Sequence, residues 1–139
     1  MTNAKLTATQ KKRVASALNE VPYARLLGIK LVGIESGTAT LLMRVRKQLT
    51  QNHGVVHGGA MASLIDSATA FAIITLLTPE ENVTTVDLTI SYVRPVTKGT
   101  VSCTAKVVRP GRRLFVVSAE VFDEAQKLVA TALSTYIKI

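Results

Sequence analysis

The residues best suited to chemistry are a histidine, two glycines and an aspartate between positions 57 and 66. His57, Gly58 and Gly59 precede a long apolar segment, and Asp66 lies inside that segment. The first N–H groups of a helix lack intrahelical partners and the helix dipole favours negative charge there, so the glycine pair could form an oxyanion hole or anion site. An ordinary turn from loop to helix is the alternative. A carboxylate in apolar surroundings is paired, hydrogen-bonded or used in catalysis.

The position of Asp66 has a consequence for assembly. No basic residue lies between Gly58 and Pro79. Asp66 is therefore either a structural residue held by Ser63 or Ser67, or a catalytic base or nucleophile. Gly58 and Asp66 are separated by about 12 Å of helix axis, whereas a reacting carbonyl must lie within about 3 Å of both groups. If both act on one substrate, Asp66 comes from a second chain, which predicts a homodimer with two shared sites.

The helix that carries these groups is predicted over residues 58–78. Apolar residues occupy nearly all its faces, so it should be buried on most sides. A strongly curved antiparallel sheet wrapped around it would bury those faces. A transmembrane span is the alternative for a segment of this length, but a central Asp66 and four hydroxyl residues oppose it.

The rest of the chain has the pattern of an N-terminal arm followed by strands. Residues 1–24 are predicted to form a helical arm, with Thr9 as the cap of its helix and Pro22 at its end, and residues 25–139 form one domain. Period-two alternation then predicts strands separated by short turns. The alternating sets are Ala39, Leu41, Met43 and Val45; Val86, Leu88, Ile90 and Tyr92; Val101, Cys103, Ala105 and Val107; Phe115, Val117, Ala119 and Val121; and Val129, Thr131, Leu133, Thr135 and Ile137.

Composition excludes several classes of protein. The chain has 139 residues, 47% of them hydrophobic and 19% charged, which argues against disorder. One cysteine, Cys103, excludes an internal disulfide and a cysteine-rich zinc site, and two histidines argue against a histidine-rich metal site. The start of the chain lacks a signal-peptide core, so the cytoplasm is expected. The net charge of +8 indicates an anionic partner or surface solubility, without a dense basic block for nucleic acid.

One stretch resembles a known family. Residues Gln51 to Ala72, followed by Val86 to Tyr92 and Arg94-Pro95, are similar to the hotdog-fold thioesterases of the phenylacetate-pathway, PaaI-like type, and the likeness runs from about Tyr23 to Ile139. The resemblance implies an α+β hotdog fold in which a curved antiparallel sheet wraps a long central helix. It implies a homodimer, often paired into a tetramer as a dimer of dimers. It also implies hydrolysis of an acyl-CoA thioester to free acid and coenzyme A, with no metal or separate cofactor and no nucleic-acid or membrane partner.

The resemblance assigns roles to individual residues. Gly58 matches the position whose backbone N–H polarises the thioester carbonyl, and His57 matches the residue that orients the site. Asp66 matches the catalytic carboxylate, and Thr85 matches a hydroxyl that helps to place the attacking water. Gln51 takes a position that is Asn in many relatives, and a sister branch with Gln there has Glu rather than Asp at the acid position.

Substrate contacts are expected in two places. Asn52 and Gly59 are expected to bind the substrate, and Arg94, Arg112 and Arg113 are expected to bind it at the phosphates of coenzyme A. Lys98 and Arg109 lie in the same turns, and solvated turn charges are the alternative reading of all five cations. Two other functions stay open: a non-catalytic hotdog protein that binds acyl-CoA, and a hotdog dehydratase acting on acyl thioesters. Cys103 is expected to pack in the core.

Overall fold

The structure is a computed structural model that describes residues 5–139; the first four residues of the predicted arm lie outside the described residues. Two short helices precede two strands, a long helix follows, and four strands end the chain. The elements are α1 (Ala8–Asn19), α2 (Pro22–Leu27), β1 (Lys30–Glu35), β2 (Thr38–Arg44), a 3-10 turn (Lys47–Leu49), α3 (Gly58–Ile74), β3 (Val83–Tyr92), β4 (Thr100–Pro110), β5 (Leu114–Phe122) and β6 (Leu128–Lys138).

All six strands form one antiparallel sheet in the order β1-β2-β4-β5-β6-β3. Helix α3 packs against β2, β3, β4, β5 and β6, so the sheet covers the helix over most of its width. This arrangement confirms the predicted α+β class with a central helix against an antiparallel sheet. Strand β3 forms one edge of the sheet, next to β6.

The predicted inward faces of β2, β4 and β5 are confirmed. On β4, Cys103 is fully buried, and burial raises the pKa of its thiol to about 12, as expected for a packing residue. Buried side chains of these strands pack on α3 and form the core. They are Ala39, Leu41, Met43, Val101, Cys103, Ala105, Val107, Phe115, Val117, Ala119 and Val121.

Strands β3 and β6 differ from the sequence prediction. In β3 the pairing register shifts between Thr85 and Asp87, so Val86 is an extra residue in a β-bulge and is 55% exposed rather than inward. In β6 the pairing with β5 shifts between Val121 and Phe122, which leaves Val129 as an extra residue. Beyond it Leu133 is 51% exposed, whereas Ser134 and Tyr136 from the opposite set are buried. A strand has a period of two, so one inserted residue exchanges the faces of the residues beyond it.

The ends of the helices also differ from the prediction. Thr7, not Thr9, caps α1: its hydroxyl accepts from the Gln10 N–H at 3.1 Å and the Gln10 side chain accepts from the Thr7 N–H at 2.8 Å, which makes a capping box. Pro22 begins α2 as well as following α1, because its fixed φ suits a first helical position. Helix α3 ends at Ile74, four residues before the predicted end at residue 78.

Helix α3 is buried on most sides, as predicted, but one stripe along it is only half-buried. Its members are small or polar apart from the last: Ala62, Ser63, Asp66, Ser67, Ala70 and Ile74. None of the helices within residues 5–139 is long and apolar enough to cross a membrane. The catalytic candidate Asp66 belongs to the half-buried stripe of α3.

Candidate active site

The carboxylate of Asp66 is held through one of its two oxygens. Thr85 Oγ1 donates to Asp66 Oδ1 at 2.9 Å, and the Tyr136 hydroxyl donates to the same oxygen at 3.0 Å. Oδ2 makes no hydrogen bond to the described residues. Every buried side-chain oxygen and nitrogen among those residues has a hydrogen-bond partner, so Oδ2 is not buried and is in contact with solvent. The carboxylate thus has one anchored oxygen and one free oxygen.

The two donors replace the serines considered from the sequence. Ser63 Oγ donates to the Gly59 carbonyl at 2.8 Å and bonds the Tyr23 hydroxyl at 2.8 Å, so it is used along the helix and not at the carboxylate. Ser67 makes no hydrogen bond to Asp66 either. The hydrogen-bonding of Asp66 therefore depends on the sheet, not on neighbours in its own helix.

The β-bulge at Val86 aims Thr85 at Asp66. Leu88 and Ile90 lie on the half-buried side of β3. Successive side chains of a regular strand point to opposite faces, so Thr85 would lie on the other, outward face. The extra residue Val86 moves Thr85 to the same face as Leu88 and Ile90. Thr85 then lies directly opposite Tyr136 on β6, and both hydroxyls reach the same carboxylate oxygen. Bulges are frequent next to active sites for this reason.

The start of α3 presents one free backbone donor. His57 is the N-cap, and its Nδ1 accepts from the Gly59 N–H at 2.8 Å, which occupies that donor. The N–H of Gly58 bonds to no group among the described residues. Because the dipole of α3 adds positive potential at this end, the Gly58 N–H is equipped to stabilise an oxyanion.

Tyr92 and Arg94 share a cavity with Gly58. The cavity has a volume of about 390 Å³ and also contains Met61 and Val56 in its lining. Tyr92 donates to the Gly58 carbonyl at 2.8 Å, and partial burial raises the pKa of its phenol, which keeps the hydroxyl protonated. Arg94 is the one predicted arginine that lies in the same cavity as the free N–H.

The remaining predicted residues lie elsewhere. The Gln51 side-chain oxygen accepts from the His53 N–H within the tight turn before α3, and Asn52 is exposed in that turn. Arg112 and Arg113 line a separate cavity of about 440 Å³. Lys98 lines a third cavity, of about 660 Å³, together with Arg44, Arg46 and Lys47. The predicted phosphate-binding cations are thus divided among three cavities of the protomer.

Sequence reasoning missed Tyr136 and Tyr92 as site residues, and it also missed the cations at and just after the end of β2, which are Arg44, Arg46 and Lys47. Tyr92 had the signal of a polar tip at the end of an alternating strand. Tyr136 had no signal, because Leu133 and Ile137 favoured the opposite face of β6. Asp66 does not line the cavity of Gly58 in this protomer, and the continuous helix between them keeps about 12 Å of axis between the two groups.

Comparisons with known proteins identify the family. The model of the thioesterase superfamily matches residues 53–130. The acyl-coenzyme A thioesterase PaaI of Escherichia coli is 33% identical over 77% of this chain and 75% of its own. The medium/long-chain acyl-CoA thioesterase YigI of Salmonella typhimurium is 27% identical over 97% of this chain and 98% of its own.

A solved structure of the E. coli PaaI protein superposes with a TM-score of 0.86 and 29% identity, covering 95% of each chain. The match extends over nearly all of the chain, so both the central helix and the sheet are shared. The resemblance inferred from the sequence is confirmed: the chain belongs to the thioesterase superfamily, with the hotdog fold of its PaaI-like members.

Proposed function

We propose that the protein hydrolyses acyl-CoA thioesters to a free acid and coenzyme A, at a site formed by two copies of the chain. The observation that carries the proposal is the Asp66 carboxylate, which is fixed through Oδ1 by Thr85 and Tyr136 and keeps Oδ2 free. The names of the relatives PaaI and YigI, both acyl-CoA thioesterases, support the substrate class.

The reaction uses two groups of the protein. The Gly58 N–H donates a hydrogen bond to the carbonyl oxygen of the thioester and stabilises the negative charge that develops on this oxygen. Asp66 Oδ2 either takes a proton from water, whose oxygen adds to the carbonyl carbon, or adds to that carbon itself. In both cases the C–S bond then breaks, the electron pair leaves on the sulfur of coenzyme A, and that sulfur ends with a proton that comes from water. In the second case water then cleaves the anhydride between the acyl group and Asp66, which releases the acid and restores the carboxylate. Thioester and water balance the reaction, so no further cofactor enters it.

The site is proposed to be shared because one chain cannot complete it. Gly58 and Asp66 lie about 12 Å apart along α3, so the Gly58 of one protomer meets the Asp66 of another. Two features suit such a dimer: the half-buried stripe of α3 around Asp66, and the edge strand β3, whose free backbone groups favour pairing with another strand. A tetramer formed from two dimers is part of the same proposal.

Coenzyme A is proposed to extend from the thioester toward the basic cavities. Arg94 lies in the cavity of Gly58. The neighbouring cavity, with Lys47 and Lys98, adjoins it along the chain, since Gly54 and Thr97 line that cavity while Val55 and Val96 line the cavity of Gly58. Phosphates near these cations would use part of the net charge of +8.

The test is release of free thiol from short, long and aromatic acyl-CoA esters, with Asp66→Asn beside the wild type. Asn keeps an oxygen that accepts from Thr85 and Tyr136, so the variant should fold, while a positioned base is worth about 10²–10⁴ in rate. We expect turnover of at least one ester and a loss of that order in the variant. Binding by calorimetry without thiol release from any ester would instead support a non-catalytic acyl-CoA-binding protein.

A further inference from the structure

A buried tyrosine lies beneath the carboxylate of Asp66. Tyr136 is 2% exposed, and its hydroxyl oxygen lies 3.0 Å from Asp66 Oδ1, 2.7 Å from the Asp66 carbonyl oxygen and 2.7 Å from Thr69 Oγ1. Thr69 Oγ1 in turn lies 3.0 Å from the carbonyl oxygen of Ile65. The tyrosine therefore joins β6, the last strand along the chain, to the middle of α3 at the residue that would do the chemistry.

Among its possible acceptors, the Tyr136 hydroxyl donates its single proton most favourably to the carboxylate. The carbonyl oxygens of Ile65 and Asp66 already accept N–H groups in the hydrogen-bond ladder of α3, so they do not depend on either hydroxyl proton. The carboxylate is the one charged acceptor in the group, and hydrogen bonds to ionised acceptors are roughly twice as strong as neutral ones. With the Tyr136 proton donated to Asp66 Oδ1, the Thr69 hydroxyl donates to the Tyr136 oxygen, and the two hydroxyl groups form a hydrogen-bond chain that ends on the carboxylate.

Two donors from different strands fix the orientation of the carboxylate. The terminal torsion of Asp is broad, so one hydrogen bond would leave the group free to turn about the anchored oxygen. Thr85 approaches Oδ1 from β3 and Tyr136 approaches it from β6, and the two residues lie directly opposite each other across the strand pair. Both donors end on Oδ1, and Oδ2 stays free.

We infer that Tyr136 is a positioning residue that, with Thr85, holds Asp66 Oδ1 so that Oδ2 alone meets the water or the thioester. The inference rests on the proposed function in that Asp66 is taken as the reacting group. It adds which oxygen reacts and which residue of β6 selects it.

The ionisation of the tyrosine agrees with this role. Burial, with the neighbouring Asp66 charge, raises the pKa of the Tyr136 phenol above its usual value. The hydroxyl therefore keeps its proton through neutral and moderately alkaline solution, and the donor to Oδ1 is constant where the enzyme would work.

The test compares Tyr136→Phe with the wild type, using Tyr23→Phe as the matched control. Both changes remove one phenolic oxygen that bonds to α3, but the Tyr23 hydroxyl bonds Ser63 and not Asp66. Misplacing a reacting group by about 1 Å can cost about 10²-fold. We expect Tyr136→Phe to lower kcat by about 10- to 100-fold with KM changed by less than about threefold, and Tyr23→Phe to change kcat by less than about twofold.

Crystal structures of the same proteins give a second measurement that does not depend on activity. In Tyr136→Phe the Asp66 carboxylate should turn or occupy more than one conformer, and in Tyr23→Phe it should not. If Tyr136→Phe does not fold, Thr69→Val, which removes the hydroxyl behind Tyr136, should show the same change to a smaller degree. An unmoved carboxylate, or a kcat equal to that of the Tyr23 control, overturns the inference.

The two measurements also separate this inference from the proposed function. A wild type that releases thiol from no ester contradicts the proposed function, and the carboxylate orientation in the crystals still decides the role of Tyr136. An active wild type with an equally active Tyr136→Phe contradicts only the inference about Tyr136.

Discussion

Tyr92 donates a hydrogen bond to the carbonyl oxygen of Gly58 at 2.8 Å, which ties the end of β3 to the first residue of α3. A Cβ built on Gly58 would lie 3.5 Å from the Cζ and the hydroxyl oxygen of Tyr92, which is ordinary van der Waals contact. The protomer therefore has room for a methyl group at residue 58, so packing within the protomer does not require glycine there. The small residue instead leaves space for a group that approaches from outside the protomer, as the substrate would.

Gly58→Ala should leave the fold intact and impair catalysis. Because the methyl group fits against Tyr92, the thermal midpoint should stay within about 2 °C of the wild type. The methyl group would keep the carbonyl oxygen of the substrate away from the backbone N–H of residue 58. We therefore expect kcat/KM to fall by about 10²-fold, as it does when one oxyanion donor is lost. Thermal unfolding and thiol release check both. A stable variant with wild-type kcat/KM would place the oxyanion somewhere other than Gly58.

Gly59→Ala should act through stability instead. A Cβ on Gly59 would lie 3.0 Å from His57 Nδ1, so it would push the imidazole away from the N–H that it caps. We expect a loss of about 0.5–2 kcal/mol in the free energy of unfolding, as for a lost N-cap. In a His57→Ala background the methyl group meets no ring, so the same change should cost nothing there. Denaturant unfolding of the four proteins measures the difference, and an equal cost in both backgrounds would contradict this account.

How far the sequence predicts the structure depends on the strand. The alternation in β2, β4 and β5 predicts their buried faces, since each of those faces is apolar and packs on α3. In β3 the bulge at Val86 exchanges the faces of the residues that precede it, and a bulge has no signature in an alternating pattern without glycine. Thr85 could be assigned by resemblance, but its contact with Asp66 and the pairing with Tyr136 both depend on that bulge.

The candidate site residues also differ in how far the sequence predicts them. Asp66 could be predicted because a lone carboxylate in an apolar helix violates the local pattern. Tyr136 could not, because Ser134 and Tyr136 are the more polar set of β6 and yet lie on the buried face. Their burial is compensated by hydrogen bonds, from Ser134 to the Asp87 carbonyl at 2.9 Å and from Tyr136 to Asp66, which only the folded sheet supplies.

Truncating the substrate distinguishes which of the candidate cations bind the phosphates of coenzyme A. Lys47→Ala/Lys98→Ala removes two charges from the cavity next to that of Gly58, and Arg112→Ala/Arg113→Ala removes two from a separate cavity. We expect the lysine pair to raise KM for acyl-CoA with kcat unchanged, because it removes binding that is equal in the ground and transition states. The effect should vanish with an acyl-pantetheine thioester, which has no phosphate. A larger rise in KM for the arginine pair would instead favour the phosphate site predicted from the sequence.

The ion pair between Glu81 and Lys138 should make a small pH-dependent contribution to stability. The hydrogen bond from Lys138 lowers the pKa of the Glu81 carboxyl, as does a backbone N–H from Thr78 at 2.9 Å. A lowered pKa in the folded state stabilises the protein above the ordinary carboxyl pKa, and this contribution is lost as the pH falls through the lowered value. The thermal midpoint of Glu81→Gln should therefore lie slightly below that of the wild type at pH 7. The gap should close in acid, and a gap that persists below about pH 3 would contradict the ion pair as its cause.

A shared site predicts that two inactive variants restore each other. Asp66→Ala lacks the carboxylate, and Gly58→Val blocks the proposed oxyanion donor, so each variant alone should release almost no thiol. Exchange of subunits between them makes heterodimers in which one site has both changes and the other has neither. With random pairing of equal amounts, half of the dimers are mixed and each has one of two sites intact, so about a quarter of wild-type activity should return. Thiol release measured before and after subunit exchange tests this, with Asp66→Ala mixed with itself as the control. If the mixture stays inactive although native mass spectrometry shows heterodimers, Gly58 and Asp66 of different chains do not act on one substrate.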